Sequence, residues 1–358
     1  MTTNIKITKV NNSRLSSIDF NNIPFGRTFS DHMFVADYED GEWKNMEIVP
    51  FGNFEVHPAC MSLHYGQAIF EGMKATVDRK GNPLFLRPEM HSRRLNASGA
   101  RLCMPPFPED AFLEAIHKLV ALDKGWIPEG DGSALYIRPF MFANSGFIGV
   151  APSESYRFII FTGPVGPYYS KPVTLVAEDH YVRAAKGGVG EAKAAGNYAA
   201  SLLPAKKAKE KGYDQILWLD GAEFKYIQEV GTMNIFFVVD GKVITPITDG
   251  AILKGITRDS VMTILRSKGY EVEERLITID EIVEYHKAGL LQECFGTGTA
   301  AVIAHVSEIT YKGMKMVLPK IEDRKISHEA KAEIVGLRNG SIEDTRGWIV
   351  PVKELIEA

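Results

Sequence analysis

A short segment rich in glycine and proline lies near the middle of this 358-residue chain and divides it into two halves. Residues 163–172, with the sequence GPVGPYYSKP, hold two glycines and three prolines between two runs of strand-forming residues. Such a composition is typical of a linker, because proline and glycine interrupt regular structure. The chain length also favours two domains, at about 150 residues each. We therefore predict a smaller N-terminal domain over residues 1–162, a linker over 163–172 and a larger C-terminal domain over 173–358.

Both halves contain helical and strand-like segments. In the first half, residues 73–78 and 83–87 predict a β-hairpin with Gly81 in its turn. Pro88 favours the start of a helix that reaches about Cys103, and apolar spacing predicts a second helix over 111–126. Further segments complete an α+β pattern in each half: strands over 134–142, 155–163, 174–179, 214–220, 234–240 and 242–247, helices over 260–270 and 279–289, and a helix over 197–212 that Pro204 should kink or interrupt.

Two glycine-rich clusters could each surround a bound anion. The sequence GTGTAA at 296–301 matches a dinucleotide fingerprint, but the residues after it, AVIAHV, favour a strand. A dinucleotide site needs a helix there, so we reject that interpretation. A simple structural turn and a nest of backbone N–H groups for a smaller anion remain open, both here and at 187–198. Gly255 also precedes an amphipathic helix, whose start is either an ordinary cap or a phosphate site.

Charge and cysteine content exclude several classes of protein. Lysine and arginine total 41 and aspartate and glutamate total 45, so the net charge is −4, without the basic excess of a nucleic-acid-binding protein. The three cysteines, Cys60, Cys103 and Cys294, have no zinc-type spacing, so we predict neither a metal site nor a disulfide framework. The first residues lack the apolar stretch of a signal peptide, and no apolar run is long enough to span a membrane. We therefore expect a cytoplasmic protein.

Five motifs, spread along the chain, carry a family resemblance. They are LHYGQAIFEGMKA (63–75), ALYIRP (134–139), GGVGEAKAAGNYAAS (187–201), QEVGTMNIFF (228–237) and FGTGTA (295–300). In this order they resemble the branched-chain aminotransferases, which belong to the class IV aminotransferases. EVGTMNIF resembles the signature of the whole class, whereas LHYGQAIFEGMKA is similar to the branched-chain members. The resemblance implies a two-domain α+β fold of type IV, like that of D-amino-acid aminotransferase, with pyridoxal 5′-phosphate (PLP) as cofactor.

The resemblance implies a role for each matching residue in holding PLP. Lys193 matches the lysine that binds the cofactor covalently and then moves the proton, and its glycine and alanine neighbours are unlike those of a surface lysine. Glu229 matches the partner of the pyridine nitrogen, and Tyr198 matches the partner of the phenolate oxygen. The phosphate is expected at Arg94, the N–H groups of Ile256 and Thr257, and Thr299. Arg93 is excluded because adjacent helical residues point about 100° apart.

The resemblance also implies a substrate pocket in which an arginine stands at the rim of largely apolar walls. Arg138 is expected to support Tyr65 and to meet the distal carboxylate of glutamate. The backbone amides of Thr232 and Ala300 and the hydroxyl of Tyr65 are expected to bind the α-carboxylate. For a wall residue taken alone, ordinary core packing is the alternative. The expected walls are Phe29, Tyr65, Phe70, Tyr136, Val150, Tyr168 and Thr232, and Tyr168 would make the linker a lid.

Taken together, the resemblance implies transamination of L-leucine, L-isoleucine and L-valine with 2-oxoglutarate by a homodimer. Some relatives carry a CxxC redox pair where this chain has Ala301 and Ala304, so that regulation is not expected here. Within the same fold class, the alternatives are a D-amino-acid transaminase and an aminodeoxychorismate lyase. From a different class, a non-catalytic PLP-binding or nucleotide-binding protein is the alternative.

Overall fold

A computed structural model describes residues 5–130, 132–168 and 171–355, and the chain forms two compact units. The first unit comprises the chain up to Tyr168, the short stretch Ala192–Ala195, and the chain from Val335 onward. The second unit comprises the rest, up to Glu191 and over Gly196–Ile334. Each unit joins a mixed β-sheet to helices, so the predicted α+β fold is confirmed.

The first unit begins with two hairpin-like strand pairs and two long helices. Pro88 occupies the first turn of α2, as predicted, and Gly81 has the positive φ of 82° that the β5–β6 turn requires. Phe112 and Ile116 of α3 are fully buried against the sheet residues Phe34 and Phe158. The elements are β1 (Lys6–Ile7), β2 (His32–Glu39), β3 (Glu42–Pro50), α1 (Met61–Tyr65), β4 (Ala68–Phe70), β5 (Met73–Val77), β6 (Pro83–Leu86), α2 (Pro88–Arg101), α3 (Glu109–Leu122), β7 (Ala134–Ala143) and β8 (Tyr156–Val165).

The second unit contains a second sheet. Thr278 caps the helix Ile279–Lys287 by accepting a hydrogen bond from the N–H of Glu281, at 3.0 Å. The elements are β9 (Val173–Glu178), α4 (Ala195–Glu210), β10 (Gln215–Leu219), β11 (Ile227–Val230), β12 (Met233–Val239), β13 (Lys242–Pro246), α5 (Ile256–Ser267), β14 (Val272–Arg275), α6 (Ile279–Lys287), β15 (Leu291–Gly298), β16 (Val302–Tyr311), β17 (Met314–Val317) and α7 (Ile326–Arg338).

Strand order differs between the two sheets. Over the described residues the first sheet has the order β1-β3-β2-β8-β7-β5-β6 and ends on β18 (Ile349–Pro351), with β4 also paired to β7. The second has the order β11-β10-β9-β16-β15-β12-β13-β14, with β17 paired to β16.

Because side chains alternate along a strand, β7 buries Leu135 and Ile137 on one face and turns Tyr136 and Arg138 to the other. This alternation places the two polar residues on a shared surface.

The structure differs from the predicted domain limits in three places. Residues 163–165 of the predicted linker are the end of β8, because all ten residues of that strand pair with β7. The units divide after Tyr168, inside the predicted linker, whose residues 169 and 170 lie outside the described residues. The end of the chain groups with the first unit because β18 pairs with β6. Whether the segment acts as a lid stays a prediction.

Two local predictions had opposite outcomes. Pro204 was predicted to kink or interrupt a helix, and interruption is wrong, since α4 continues through Pro204 from Ala195 to Glu210. Proline lacks only its own N–H, and the helix around it tolerates that loss. By contrast, the GTGTAA segment leads from β15 into β16, so the prediction that a strand follows this turn is confirmed. None of the helices in the described part of the chain is long and apolar enough to cross a bilayer.

Candidate active site

Lys193 is held in the first unit by its own backbone. Its N–H donates to Ser98 Oγ at 2.9 Å, and its carbonyl accepts from the N–H of Phe70 at 3.0 Å. These bonds tie the short stretch around Lys193 to α2 and to the end of β4, although the sequence placed it in the C-terminal domain. The Lys193 ammonium lies 4.7 Å from the centre of the Phe70 ring, within cation–π range. The amine therefore lies against an aromatic face on a half-buried residue.

Arg94 belongs to a buried charge network that includes Glu71 and His91. Its Nε and Nη2 atoms donate to the two oxygens of Glu71 at 2.6 and 2.9 Å. His91 Nδ1 lies 2.7 Å from the same carboxylate, which is fully buried. Burial alone would raise the pKa of Glu71, but the charge and hydrogen bonds of Arg94 and His91 hold it well below its usual range. Glu71 is therefore ionised and fixes the direction of the Arg94 guanidinium.

Burial also governs His91, the third member of this network. It lowers the pKa of His91 despite the nearby Glu71 carboxylate, so His91 is neutral. Since Glu71 can only accept, His91 donates from Nδ1. Arg93 instead pairs with Glu109 at the surface, at 3.2 Å, which confirms that the two adjacent arginines face different directions.

We expect the Arg94→Ala variant to lose far more stability than the Arg93→Ala variant. Removing Arg94 leaves the Glu71 carboxylate buried without its cation, which costs about 3–5 kcal/mol. Arg93 is mostly exposed, and its loss should change the free energy of unfolding little. Urea unfolding of both variants measures the difference. Equal midpoints would contradict the assignment of Arg94 to the buried network.

Two predicted wall residues of the first unit, Phe29 and Tyr136, line one cavity of about 170 Å³ together with the predicted rim residue Arg138. Arg138 Nη2 donates to the Tyr136 hydroxyl at 3.1 Å, and its guanidinium carbon lies 4.6 Å from the centre of the Phe70 ring. Arg138 Nε is buried and has no hydrogen-bond partner within the described residues. The cavity is lined by Phe25, Gly26, Thr28, Phe29, Tyr136, Arg138, Phe161, Gly163 and Val165. A half-buried cation thus faces a largely apolar space.

The remaining wall residues of the first unit lie outside that lining. Tyr168 packs edge-on against Phe25, with ring centres 5.0 Å apart, and so stands beside the cavity. Tyr65 is 38% exposed at the end of α1. Val150 is 92% exposed in a segment without regular structure. The structure therefore brings Phe29, Tyr136 and Arg138 together but leaves Tyr65 and Val150 at the surface of this chain.

Glu229 lies at the centre of a buried network in the second unit. Its Oε2 pairs with Arg183 Nε at 2.5 Å, and both side chains are buried. Its Oε1 accepts from Asn234 Nδ2 at 3.2 Å and from the N–H of Leu253 at 3.1 Å. All three partners are donors, so each stabilises the negative charge of the carboxylate.

A small pocket opens beside Glu229. Its lining includes Tyr198, the residue expected at the phenolate oxygen, and Thr232 in the two-residue turn that joins β11 to β12. Asn197, next to Tyr198, donates from Nδ2 to the carbonyl of Val189 at 2.9 Å and so ties the start of α4 to the glycine-rich loop. The structure thus brings Tyr198, Glu229 and Thr232 together in one unit.

The start of α5 offers donors of the kind that bind phosphate. The first intrahelical bond runs from the N–H of Asp259 to the carbonyl of Gly255, so the N–H groups of Ile256 and Thr257 are not used within the helix. No side chain of the described residues caps this end, and both residues are buried. Thr299 and Ala300 lie in the turn between β15 and β16. A buried, uncapped helix start is suited to an anion.

Comparison with known proteins identifies the family of this chain. The family model for amino-transferase class IV matches residues 68–309, more than half of the chain. The chain belongs to the class IV aminotransferases. It is 47% identical over 344 residues to branched-chain-amino-acid aminotransferase 2 of Bacillus subtilis, covering 95% of each chain. It is 49% identical over 333 residues to a probable branched-chain-amino-acid aminotransferase of Staphylococcus aureus, covering 92% of this chain and 93% of the other.

Solved structures of this class resemble the fold. The branched-chain amino acid aminotransferase of Escherichia coli aligns with a TM-score of 0.72 and 27% identity, over 90% of this chain and 99% of that one. A T.th. branched-chain amino acid aminotransferase in complex with N-(5′-phosphopyridoxyl)-L-glutamate aligns with a TM-score of 0.72 and 27% identity, over 89% and 98%. The predicted fold of type IV is therefore confirmed. Enzymes of this class use PLP.

In this class IV aminotransferase, several residues that were not predicted from the sequence lie beside the predicted site residues. Glu71 and His91 orient Arg94, while Arg183 and Asn234 contact Glu229. Glu71 and Asn234 stand inside the quoted motifs, so the motifs contained a signal for them. Arg183 has no signal in the sequence, since only folding brings it beside Glu229. Cys294 is fully buried, and burial raises the pKa of its thiol, so this cysteine packs as a small hydrophobic residue.

Proposed function

We propose that this class IV aminotransferase uses PLP to transfer the amino group of L-leucine, L-isoleucine or L-valine to 2-oxoglutarate. The observation that carries this proposal is the cavity beside Arg138, where a guanidinium whose buried Nε has no partner among the described residues faces apolar walls. Apolar walls suit a branched side chain, whereas the arginine suits the distal carboxylate of glutamate. The relatives' names and the glutamate adduct bound to the T.th. enzyme support the same pair of substrates.

The expected cofactor ligands suit the polar groups of PLP. The N–H groups of Ile256 and Thr257 at the uncapped start of α5 would hold the phosphate, with Thr299 and Arg94 as further ligands. The carboxylate of Glu229 would accept from the ring nitrogen, and the Tyr198 hydroxyl would bind the phenolate oxygen. When bound, PLP withdraws electrons from the substrate Cα, which makes loss of its proton possible.

The chain's own residues would bind the substrate and move the proton. Lys193 would attach the cofactor and then carry the proton to and from the substrate Cα, since its amine lies at the Phe70 face rather than in bulk water. The amides of Thr232 and Ala300 and the hydroxyl of Tyr65 would hold the α-carboxylate. Phe29, Phe70, Tyr136, Val150 and Tyr168 would enclose the side chain and exclude water.

A homodimer completes this proposal. In the first unit, Leu63, Ile148 and Val150 are 67%, 64% and 92% exposed. The segment that carries Ile148 is tied to the start of α1, where the N–H of Met61 donates to the carbonyl of Ser145 at 3.1 Å. These exposed apolar side chains favour a protein contact in this part of the first unit. A second copy of the chain would cover it and give Val150 a buried position.

Two measurements on the purified protein test the function. After reduction with borohydride, we expect peptide mapping to find a pyridoxyl group on Lys193. A group on another residue, or no yellow colour before reduction, would refute the cofactor assignment. With 2-oxoglutarate as acceptor, we expect L-leucine, L-isoleucine and L-valine to react. Reaction of D-alanine without reaction of L-leucine would instead favour a D-amino-acid transaminase.

A further inference from the structure

Asn234 is a polar residue in an otherwise apolar strand, and its side chain lies beside Glu229. β11 and β12 are antiparallel and are joined by a two-residue turn, and their register places Asn234 directly opposite Glu229. Opposed residues of such a pair project from the same face of the sheet. Asn234 is 5% exposed within the strand MNIFFVV. A buried amide at this position needs polar partners, because burying it without them costs free energy.

The amide of Asn234 closes a ring of three hydrogen bonds. Its Nδ2 group donates to Glu229 Oε1 at 3.2 Å and to the carbonyl of Leu253 at 2.9 Å. The N–H of Leu253 donates to the same Glu229 oxygen at 3.1 Å. Since both partners of Nδ2 are acceptors, they fix which end of the amide carries the nitrogen. The ring therefore joins the carboxylate of Glu229 to the backbone at Leu253.

The other end of the amide lies against the start of α5. Gly255, the N-cap residue of that helix, has φ −69°, so its backbone conformation does not require glycine. A Cβ atom at position 255 would collide with Asn234 Oδ1. Glycine is therefore needed there for space, and the amide sets how closely the helix start approaches β12. One side chain contacts both Glu229 and the segment that begins the helix.

We propose that Asn234 is a positioning residue that sets the distance from Glu229 to the N–H groups of Ile256 and Thr257. The inference rests on the proposed function, in which these groups hold opposite ends of one PLP molecule. PLP is rigid along this direction, so its ring nitrogen and its phosphate cannot both be bound unless the protein holds the two partners at a matching separation. Preorganisation of this kind strengthens binding because no rearrangement accompanies it.

This role is tested by comparing PLP, which carries both groups in one molecule, with pyridoxal and inorganic phosphate supplied as separate molecules. The affinity of the protein for PLP is compared with its affinity for pyridoxal in the presence of inorganic phosphate. PLP binds more tightly than pyridoxal with separate phosphate only when the two sites on the protein are correctly spaced. This increase in affinity is the gain that the variants are expected to change. We expect Asn234→Ala to reduce this gain by about tenfold, the value of one well-placed hydrogen bond. Asn234→Ser, which keeps one donor and disturbs folding less, should show a smaller reduction of the same kind.

A second readout and a matched control separate positioning from general stability. In Asn234→Ala we also expect a shift in the pH at which the visible absorption of the bound cofactor changes, because Glu229 is no longer held in place. Thr245→Val removes a buried hydrogen bond of 2.7 Å to the carbonyl of Ile235, the residue after Asn234. This control should lose stability while its absorption titration and its gain for PLP stay unchanged.

The outcomes distinguish this inference from the proposed function. If the wild-type protein does not bind PLP, the proposed function fails and the inference fails with it. If the wild type binds PLP and both Asn234 variants keep the full gain, the inference alone is overturned. An equal loss in Thr245→Val would also overturn it. So would a loss of pyridoxal binding without any change in the gain, because Asn234 would then act only on Glu229.

Discussion

Lys193→Met is expected to lower the turnover of L-leucine with 2-oxoglutarate by at least about a thousandfold, because one amine has two roles. In the proposed function this amine attaches the cofactor and moves the proton at the substrate Cα. Methionine keeps an apolar stem of similar length to pack against the Phe70 ring, while the contact of the ammonium with that ring is lost. The backbone bonds to Ser98 and Phe70 do not involve the side chain and should persist. Steady-state turnover and thermal unfolding measure the two effects separately.

Lys186→Met is the matched control for this prediction. Lys186 is an exposed lysine a few residues before Lys193, and its replacement should leave turnover unchanged. Small primary amines added to Lys193→Met should restore part of the turnover, with an efficiency that follows their basicity. Wild-type turnover in Lys193→Met, or an equal loss in Lys186→Met, would contradict the role of Lys193.

The sequence predicted elements well where one local pattern decides the structure. The hairpin at Gly81, the helix that begins at Pro88 and the strand after the GTGTAA turn all follow from nearby residues. Prediction from the residue pattern failed where a partner far away in the sequence determines the structure. The last strand of the chain joins the first sheet by pairing with β6. No spacing rule in the sequence predicts that pairing.

The candidate site shows the same division. Arg94 was expected from the resemblance, and helix geometry excluded its neighbour Arg93, yet the reason Arg94 is fixed lies in Glu71, 23 positions away along the chain. Glu229 was identified from its motif, whereas its ion pair with Arg183 depends on folding. Motifs therefore indicated which groups are expected to carry the chemistry. The groups that orient them became visible only in three dimensions.

Glu229→Gln is expected to keep PLP binding and to lose turnover by about a hundredfold to a thousandfold, the usual cost of removing one positioned electrostatic group. Glutamine has the same shape, so its oxygen can still accept from Asn234 and Leu253. It has no negative charge, however, and cannot keep a cofactor ring nitrogen protonated. Wild-type turnover in this variant would refute the assigned role of Glu229. Absorbance titration with PLP and steady-state kinetics measure the two effects.

Glu229→Gln also breaks the ion pair with Arg183, and the resulting loss of stability must be measured separately from the loss of turnover. In Glu229→Gln the amide NH₂ faces Arg183 Nε, so a buried cation loses its partner at a cost of about 3–5 kcal/mol. The double variant Glu229→Gln/Arg183→Gln removes that cation and should recover much of the stability, but none of the turnover. Glu281→Gln, which breaks a half-buried pair with Arg275 elsewhere in the second unit, should leave turnover unchanged. If the double variant instead recovered turnover together with stability, Glu229 would act only through Arg183, as a structural partner.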